Sequence, residues 1–305
     1  MIPSAFASPV RALVVASLFA LAGCSTSQTL ETVTPPSPAS FGPVTGKHAA
    51  IVIDGDSGRV LFESQSNEAR YPASLTKMMT VLMLFDALDA RRITPDTQIP
   101  VSAYAASRPP TKIGFRPGQT ISVDDAIKAL ITKSANDVAA AVGEFLGGTE
   151  ERFAEQMTAR ARALGLRNTR FRNASGLPDP EQQTTARDMA TLGFALRKRY
   201  GRHYHYFSTQ SFAYGSRTIR GHNRLLSRVD GADGIKTGYT RASGFNIVTS
   251  VNRGGKKMIF VVMGGATGKA RDDYAAALVD TYMPASSVGS QRAPENPEFF
   301  EPETN

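Results

Sequence analysis

The sequence predicts an α+β fold, a single antiparallel sheet packed by helices with an inserted, mostly helical region. Two observations predict it. Alternating apolar residues mark strands near residue 50 and again between 235 and 262, while the long stretch between carries the period of helices. Strands at both ends with helices between imply one sheet whose first and last strands meet late in the chain. At 305 residues, 41% hydrophobic and 20% charged, the chain is ordinary globular material, with room for one large domain or two small ones.

The elements follow in order. Residues 1–23 carry one charged side chain, Arg11, then an apolar stretch over 12–22 that is too short to span a bilayer. Small residues then precede Cys24, which reads as a secretory signal peptide over 1–23. Cys24 is the one cysteine, so no internal disulfide can form. Residues 24–46 are rich in Ser, Thr and Pro without an apolar period and read as an extended tether. A domain over 47–285 opens with strands at 49–53 and 59–62 around Asp54-Gly55-Asp56-Ser57-Gly58, a hairpin signal. Residues 74–90 have helical periodicity and are very apolar, which suggests a buried central helix. Helices are expected over 123–132, 137–146, 150–164 and 185–200, and strands over 235–238, 245–251 and 257–262. Asn252-Arg253-Gly254-Gly255 is the turn between the last two, and a helix over 268–282 closes the domain. The tail, 286–305, holds three prolines and several glutamates and is expected to be disordered and acidic.

Three short motifs carry the chemistry: Ser74-Leu75-Thr76-Lys77, Ser134-Ala135-Asn136 and Lys236-Thr237-Gly238. A serine hydroxyl is a weak nucleophile at neutral pH and needs a base beside it. On a helix, Ser74 and Lys77 share one face, so hydroxyl and amine can enter one cleft. Burial and a second cation, Lys236, would both disfavour a charged Lys77 and leave an amine able to take the Ser74 proton. Lys236 offers a positive charge to a carboxylate, and the Thr237 hydroxyl adds a hydrogen bond. Gly238 has no side chain, which lets a substrate backbone lie against the strand. Each motif alone has a plainer reading: a helix N-cap with a surface lysine, a cap for the helix from 137, and a strand ending in a turn. Together and in this order they point to a serine acyl-transfer site for a carboxylate-bearing substrate.

The chain resembles the low-molecular-weight penicillin-binding proteins, specifically the serine D-alanyl-D-alanine carboxypeptidases. The likeness runs through residues 71–80, 134–139 and 233–240, and through Ser175-Gly176-Leu177-Pro178 with the stretch 185–190. It covers roughly 46–284, nearly the whole exported chain. The resemblance implies a β-lactamase/transpeptidase-like fold. It implies removal of the terminal D-alanine from peptidoglycan pentapeptide stems through an acyl-enzyme on Ser74. Penicillins and other β-lactams would acylate the same serine and persist. By the same resemblance Ser134 relays a proton between Lys77 and the leaving group, and Asn136 hydrogen-bonds the substrate peptide. The backbone N–H groups of Ser74 and Tyr239 form the oxyanion hole. Many relatives have His where this chain has Tyr239. No metal or organic cofactor is implied. Two other activities share these features: a D,D-endopeptidase that cuts cross-links, and a catalytically idle wall-binding lipoprotein. A class A β-lactamase would carry Glu-x-x-Leu-Asn between the second and third motifs, and no glutamate there begins such a run.

Leu21-Ala22-Gly23-Cys24 is similar to a bacterial lipobox, which would lipidate Cys24 and anchor the protein to a membrane facing the periplasm. An ordinary signal peptide ending near a cysteine is the alternative. Ser25 after the cysteine is similar to the outer-membrane sorting pattern. Many relatives carry a C-terminal β-rich domain and a membrane-surface helix; here the lipid is expected to supply the anchor. The formal charge is +8. There is no dense Lys/Arg run interleaved with aromatics and no Trp, which argues against nucleic acid and for an anionic wall and membrane. His48, His203, His205 and His222 show no metal-ligand spacing, and no phosphate loop is present. His222, Asn223 and Arg224 lie shortly before the third motif and read as surface residues outside the core site.

Overall fold

A computed structural model of the chain describes residues 34–42 and 45–284. In chain order the elements are β1 (Ala49–Asp54), β2 (Val60–Ser64), α1 (Lys77–Asp89), β3 (Gln98–Pro100), α2 (Ala103–Ser107), β4 (Thr120–Ser122), α3 (Val123–Ile131) and α4 (Asn136–Gly147). There follow α5 (Glu150–Ala163), α6 (Ala186–Arg199), β5 (Ser211–Tyr214), β6 (Arg217–Arg220), α7 (Leu225–Arg228), β7 (Ala232–Thr240), β8 (Gly244–Arg253), β9 (Lys256–Gly265) and α8 (Gly268–Tyr282). Five helices start where a hydroxyl can cap them. Ser102, Ser122, Thr149, Thr185 and Thr267 each accept from the N–H three residues on.

The main sheet is antiparallel throughout, in the order β2-β1-β9-β8-β7. The first hairpin therefore pairs with the last, Ala50 opposite Val262, as the late-joined sheet requires. Alternation along β1 and β9 builds two cores, one on each face. Ile51, Ile53, Ile259 and Val261 face the helical region, while Val52, Phe260 and Val262 face α8. The α1 helix is buried nearly all round, as its apolar sequence demands. The architecture is the α+β, β-lactamase/transpeptidase-like one expected.

The structure corrects several details. The helix expected over 74–90 is α1 preceded by a 3₁₀ turn, Ala73–Thr76, so Ser74 precedes the α-helix proper. The last three strands are each longer than expected, because their polar ends still pair. The two-stranded sheets β3–β4 and β5–β6 and the helices α2 and α7 were not expected; elements of three to five residues are too short to show a period. The extended tether expected over 24–46 is folded onto the domain in its described part. Pro38–Phe41 forms a 3₁₀ turn, and the Phe41 ring lies 5.8 Å from that of Tyr274 on α8. Thr45 Oγ1 donates to the Gly264 carbonyl at 2.7 Å. An aromatic anchor and one hydrogen bond thus hold a segment that composition alone marks as a linker. The signal peptide over 1–23, Cys24 and the tail over 286–305 lie outside the described residues. Among the described residues no helix is long and apolar enough to cross a membrane.

Phe85 on α1 sits among the rings of Tyr200, His203, Tyr206 and Phe207, which ties the central helix to the segment before β5. Phe85→Ala is expected to lower the unfolding free energy by about 3–5 kcal/mol. Urea denaturation measures it, and a loss below about 1 kcal/mol would mean that the site collapses around the gap.

Candidate active site

Three separate segments close around the turn that carries Ser74. It lies in the 3₁₀ turn, and Ala73 before it has φ +48°, a left-handed conformation that costs an alanine about 1–2 kcal/mol. Gly176 fits under that turn. A Cβ on residue 176 would lie 1.8 Å from the Ala73 carbonyl oxygen, so only glycine permits the approach. Gly238 on β7 is crowded likewise: a Cβ there would stand 3.1 Å from the Ser74 nitrogen. Its missing side chain makes room for the nucleophile turn, not for a substrate backbone as the sequence reading had it. Buried Asn246 on β8 ties the approach to the sheet. Its Nδ2 donates to the Tyr71 and Pro72 carbonyls at 3.1 and 3.3 Å, and its Oδ1 accepts from the Gly264 N–H at 2.9 Å.

Lys77 is fully buried, 0% exposed. Its Nζ lies 2.7 Å from Asn136 Oδ1, 2.5 Å from the Ser175 carbonyl oxygen and 3.2 Å from Ser74 Oγ. The first two partners only accept. A neutral amine has two hydrogens and one lone pair. Asn136 and Ser175 consume the hydrogens, so the lone pair is left to face the Ser74 hydroxyl. Burial, and after it the charge of Lys236, holds the amine well below the ordinary lysine range, while Glu150 and Asp137 pull the other way. The geometry suits a general base that is neutral at rest and has three acceptors around it once it takes a proton.

Ser134 and Asn136 stand at the start of α4. Ser134 has φ +59°, and among the described residues its buried Oγ has no hydrogen-bond partner. Neither residue caps α4, whose N-cap is Ala135. Asn136 is turned toward the base: besides accepting from Lys77, it donates through Nδ2 to the Pro109 carbonyl at 2.9 Å. Its carboxamide therefore orients Lys77 first, and one Nδ2 hydrogen remains for a substrate peptide. Buried Asp137 holds the roof of the cleft, accepting from the N–H groups of Ile113 and Gly114 at 3.1 and 2.8 Å.

The third motif lies on β7, the edge strand of the sheet. Lys236 is 2% exposed, and its Nζ donates to the Thr237 carbonyl at 2.8 Å. Burial first, and the neighbouring Arg271 second, push its amine down to about 7. Thr240 turns its N–H into the β7–β8 connection, onto Ser243 Oγ at 3.0 Å. Strand alternation then turns the Tyr239 N–H to the open edge, the placement that an oxyanion donor paired with the Ser74 N–H needs. The Tyr239 ring is 55% exposed and stacks on Phe245 with centroids 4.1 Å apart.

These residues border a cleft of about 860 Å³, lined by Ser74, Ser134, Asn136, Thr237, Gly238 and Tyr239 among others. His222 and Arg224, set aside at the sequence level, also line it; Asn223 does not and instead accepts from the Leu225 N–H through Oδ1 at 3.2 Å. Arg271 on α8 was not foreseen. It is buried, paired with Asp272 at 2.6 Å, and lines the cleft beside Lys236. No sequence signal separates it from Lys269, the other basic residue of α8. Among the described residues no group of three or more His, Cys, Asp or Glu side chains could hold a metal ion.

The chain has relatives among known proteins. The family of D-alanyl-D-alanine carboxypeptidases matches residues 36–267. The chain is similar to D-alanyl-D-alanine carboxypeptidase DacF of Bacillus subtilis, 33% identical over 257 residues, which are 80% of this chain and 66% of that protein. It is similar to DacD of Escherichia coli, 34% identical over 75% of this chain and 61% of the relative. The chain thus spans less than two thirds of the length of either. Penicillin binding protein 5 from Haemophilus influenzae has a similar structure, with TM-score 0.75, 31% identity, and coverage of 82% of this chain and 72% of that one.

The Lys236 amine, near 7 in the folded chain against an ordinary 10.5, gives a pH signature. Over that window the unfolded chain holds a proton that the folded chain has released, so stability rises with pH. Lys236→Met is expected to be more stable than the wild type below pH 7, with the gap closing as pH rises toward 10.5. Urea titrations across that range measure it, and a gap independent of pH would rule out a buried, titrating Lys236.

Proposed function

The chain belongs to the D-alanyl-D-alanine carboxypeptidase family, and on that premise we propose that it is a serine-type carboxypeptidase of peptidoglycan stem peptides. The observation that carries this is the arrangement at Lys77, whose buried amine lies within hydrogen-bond reach of Ser74 Oγ, Asn136 Oδ1 and the Ser175 carbonyl oxygen. The Lys77 amine takes the Ser74 proton as Oγ attacks the carbonyl between the last two D-alanines. The developing oxyanion is met by the N–H groups of Ser74 and Tyr239. Ser134, whose Oγ has no hydrogen-bond partner among the described residues, carries the proton from Lys77 to the departing amine. The terminal carboxylate lies toward Lys236, Thr237 and Arg271, a charge-assisted anchor. Free D-alanine leaves, and water then cleaves the ester on Ser74 to regenerate the hydroxyl. A β-lactam ring opens on the same oxygen and leaves a longer-lived acyl-enzyme.

The protein is expected to release D-alanine from a pentapeptide stem ending in D-Ala–D-Ala, and Ser74→Ala to release none and to lose labelling by a fluorescent penicillin. No release from the pentapeptide, with release of a stem from a cross-linked dimer, would replace this reading by the endopeptidase one. Inertness to both would favour the idle wall-binding lipoprotein.

We further propose export and lipidation at Cys24, with the domain held in the periplasm, on the outer membrane by the reading of Ser25. The support is the sequence ending Leu21-Ala22-Gly23-Cys24. Mass spectrometry of the mature protein is expected to find an acylated Cys24 at the N-terminus, and Cys24→Ala is expected to leave the membrane fraction. An unmodified N-terminus would overturn the anchor.

A further inference from the structure

Glu150 is a buried carboxylate that the reaction above does not use. It is the first residue of α5, where an acidic side chain ordinarily turns to solvent and faces the helix dipole. Here it turns inward and is 4% exposed. Both carboxylate oxygens are engaged: Oε1 accepts from the Ala174 N–H at 2.9 Å, and Oε2 accepts from the Tyr104 hydroxyl at 2.6 Å. An ionised carboxylate at this depth is costly unless it is hydrogen-bonded, and these two donors offset that cost.

What Glu150 holds is next to the base. The Ala174 peptide is gripped from both ends: its N–H by Glu150, and its carbonyl by Thr80 Oγ1 at 2.6 Å, from the α1 turn after Lys77. The following carbonyl, that of Ser175, takes one of the two amine hydrogens of Lys77 at 2.5 Å. Asn173 Oδ1 binds the N–H groups of Ser175 and Gly176 at 3.2 and 2.7 Å, which shapes the turn but does not attach it to the helices. Attachment comes from α1 through Thr80 and from α5 through Glu150.

We propose that Glu150 is a positioning residue for Lys77. It seats the Ser175 carbonyl that aims the amine's lone pair at Ser74, and it supplies a nearby negative charge that keeps the amine basic enough to receive the proton. The proposal rests on the reading of Lys77 as the base for Ser74. The charged groups around the amine are Lys236 on β7, Asp137 on α4 and Glu150 on α5; Tyr104 and Arg108 flank Glu150 from the α2 side. Burial and Lys236 make the amine a weak base, and Glu150 and Asp137 restore part of its strength. A base that is neutral at rest but too weak gains little from proton transfer.

Two variants separate seating from charge. Glu150→Gln keeps an acceptor for the Ala174 N–H and removes the charge. Glu150→Leu removes both. The readout is the rate of acylation by a fluorescent penicillin across pH, with Ser74→Ala as the unlabelled control. Wild-type acylation rises with pH as the Lys77–Lys236 pair loses its proton. Glu150→Gln is expected to move that acid limb to lower pH and to lower the plateau about three- to tenfold. Glu150→Leu is expected to lose on the order of 100-fold in acylation at all pH values. In a Ser74→Ala background, Glu150→Leu is expected to leave the affinity for the pentapeptide stem unchanged. Should Glu150→Leu not fold, Glu150→Gln decides alone. A Glu150→Gln profile that superimposes on the wild type overturns the charge role, and wild-type acylation by Glu150→Leu overturns the seating role. A wild type that Ser74→Ala does not distinguish would instead overturn the base and nucleophile reading beneath both.

Discussion

The buried amine of Lys77 is the constraint on which the rest of the site depends. A lysine at 0% exposure cannot be left with unmet hydrogens, nor can it keep its charge cheaply. Its two acceptors come from distant parts of the chain, Asn136 at the start of α4 and Ser175 in the turn before α6. The segments that carry them must therefore converge on the first turn of α1. Asn136 is fixed in turn by Pro109 and Thr111, whose carbonyls accept from its side chain and its N–H at 2.9 and 2.7 Å. The helical region is inserted where it is because this convergence needs it.

The sheet imposes the second condition. β7 must lie beside the nucleophile turn for Thr237 to share the cleft with Ser74, and a side chain at residue 238 would crowd that turn. Asn246, one strand further in, binds the Tyr71 and Pro72 carbonyls from the other side and sits opposite Gly238 in the ladder. The strain at Ala73 survives because Gly176, Gly238 and Asn246 over-determine its surroundings. Nucleophile and base are thus positioned by contacts between residues 59 to 175 positions apart in sequence, which makes the site a property of the completed fold.

The pairing of Ser74 with Lys77 was legible in the sequence even though the helix type was not. In a 3₁₀ turn residues i and i+3 eclipse, so a spacing argued for an α-helix holds in the tighter turn as well. The late-joined sheet was legible because strand alternation survives at both ends of the domain. The capping hydroxyls of Ser122, Thr149 and Thr267 stand just ahead of the helices expected from 123, 150 and 268, whereas Thr185, expected as a helical residue, is itself the cap. Gly238 was noticed for the wrong reason, since its neighbour is Ser74, some 160 positions upstream. Arg271, Glu150 and the Ser175 carbonyl were not legible at all. Nothing local distinguishes a glutamate that points into the core at a helix start from one that points to solvent. A backbone carbonyl carries no signature of its own. The docking of Phe41 on Tyr274 failed for the same reason, because a single aromatic residue in a Pro-rich stretch has no period.

The electrostatics of the site show what the fold gives up for function. Three basic side chains, Lys77, Lys236 and Arg271, are buried and act on one another through their charge. Arg271 is neutralised at once by Asp272, at 2.6 Å. Lys77 is balanced at longer range by Glu150 and Asp137. Among the described residues Lys236 has no acidic partner, and its side chain donates to a neutral carbonyl. An ammonium without a counter-ion destabilises the folded state, which is why the fold drives this amine toward its neutral form. A carboxylate arriving in the cleft reverses that balance. It supplies the missing negative charge, raises the proton affinity of Lys236, and is itself held by the cation it creates.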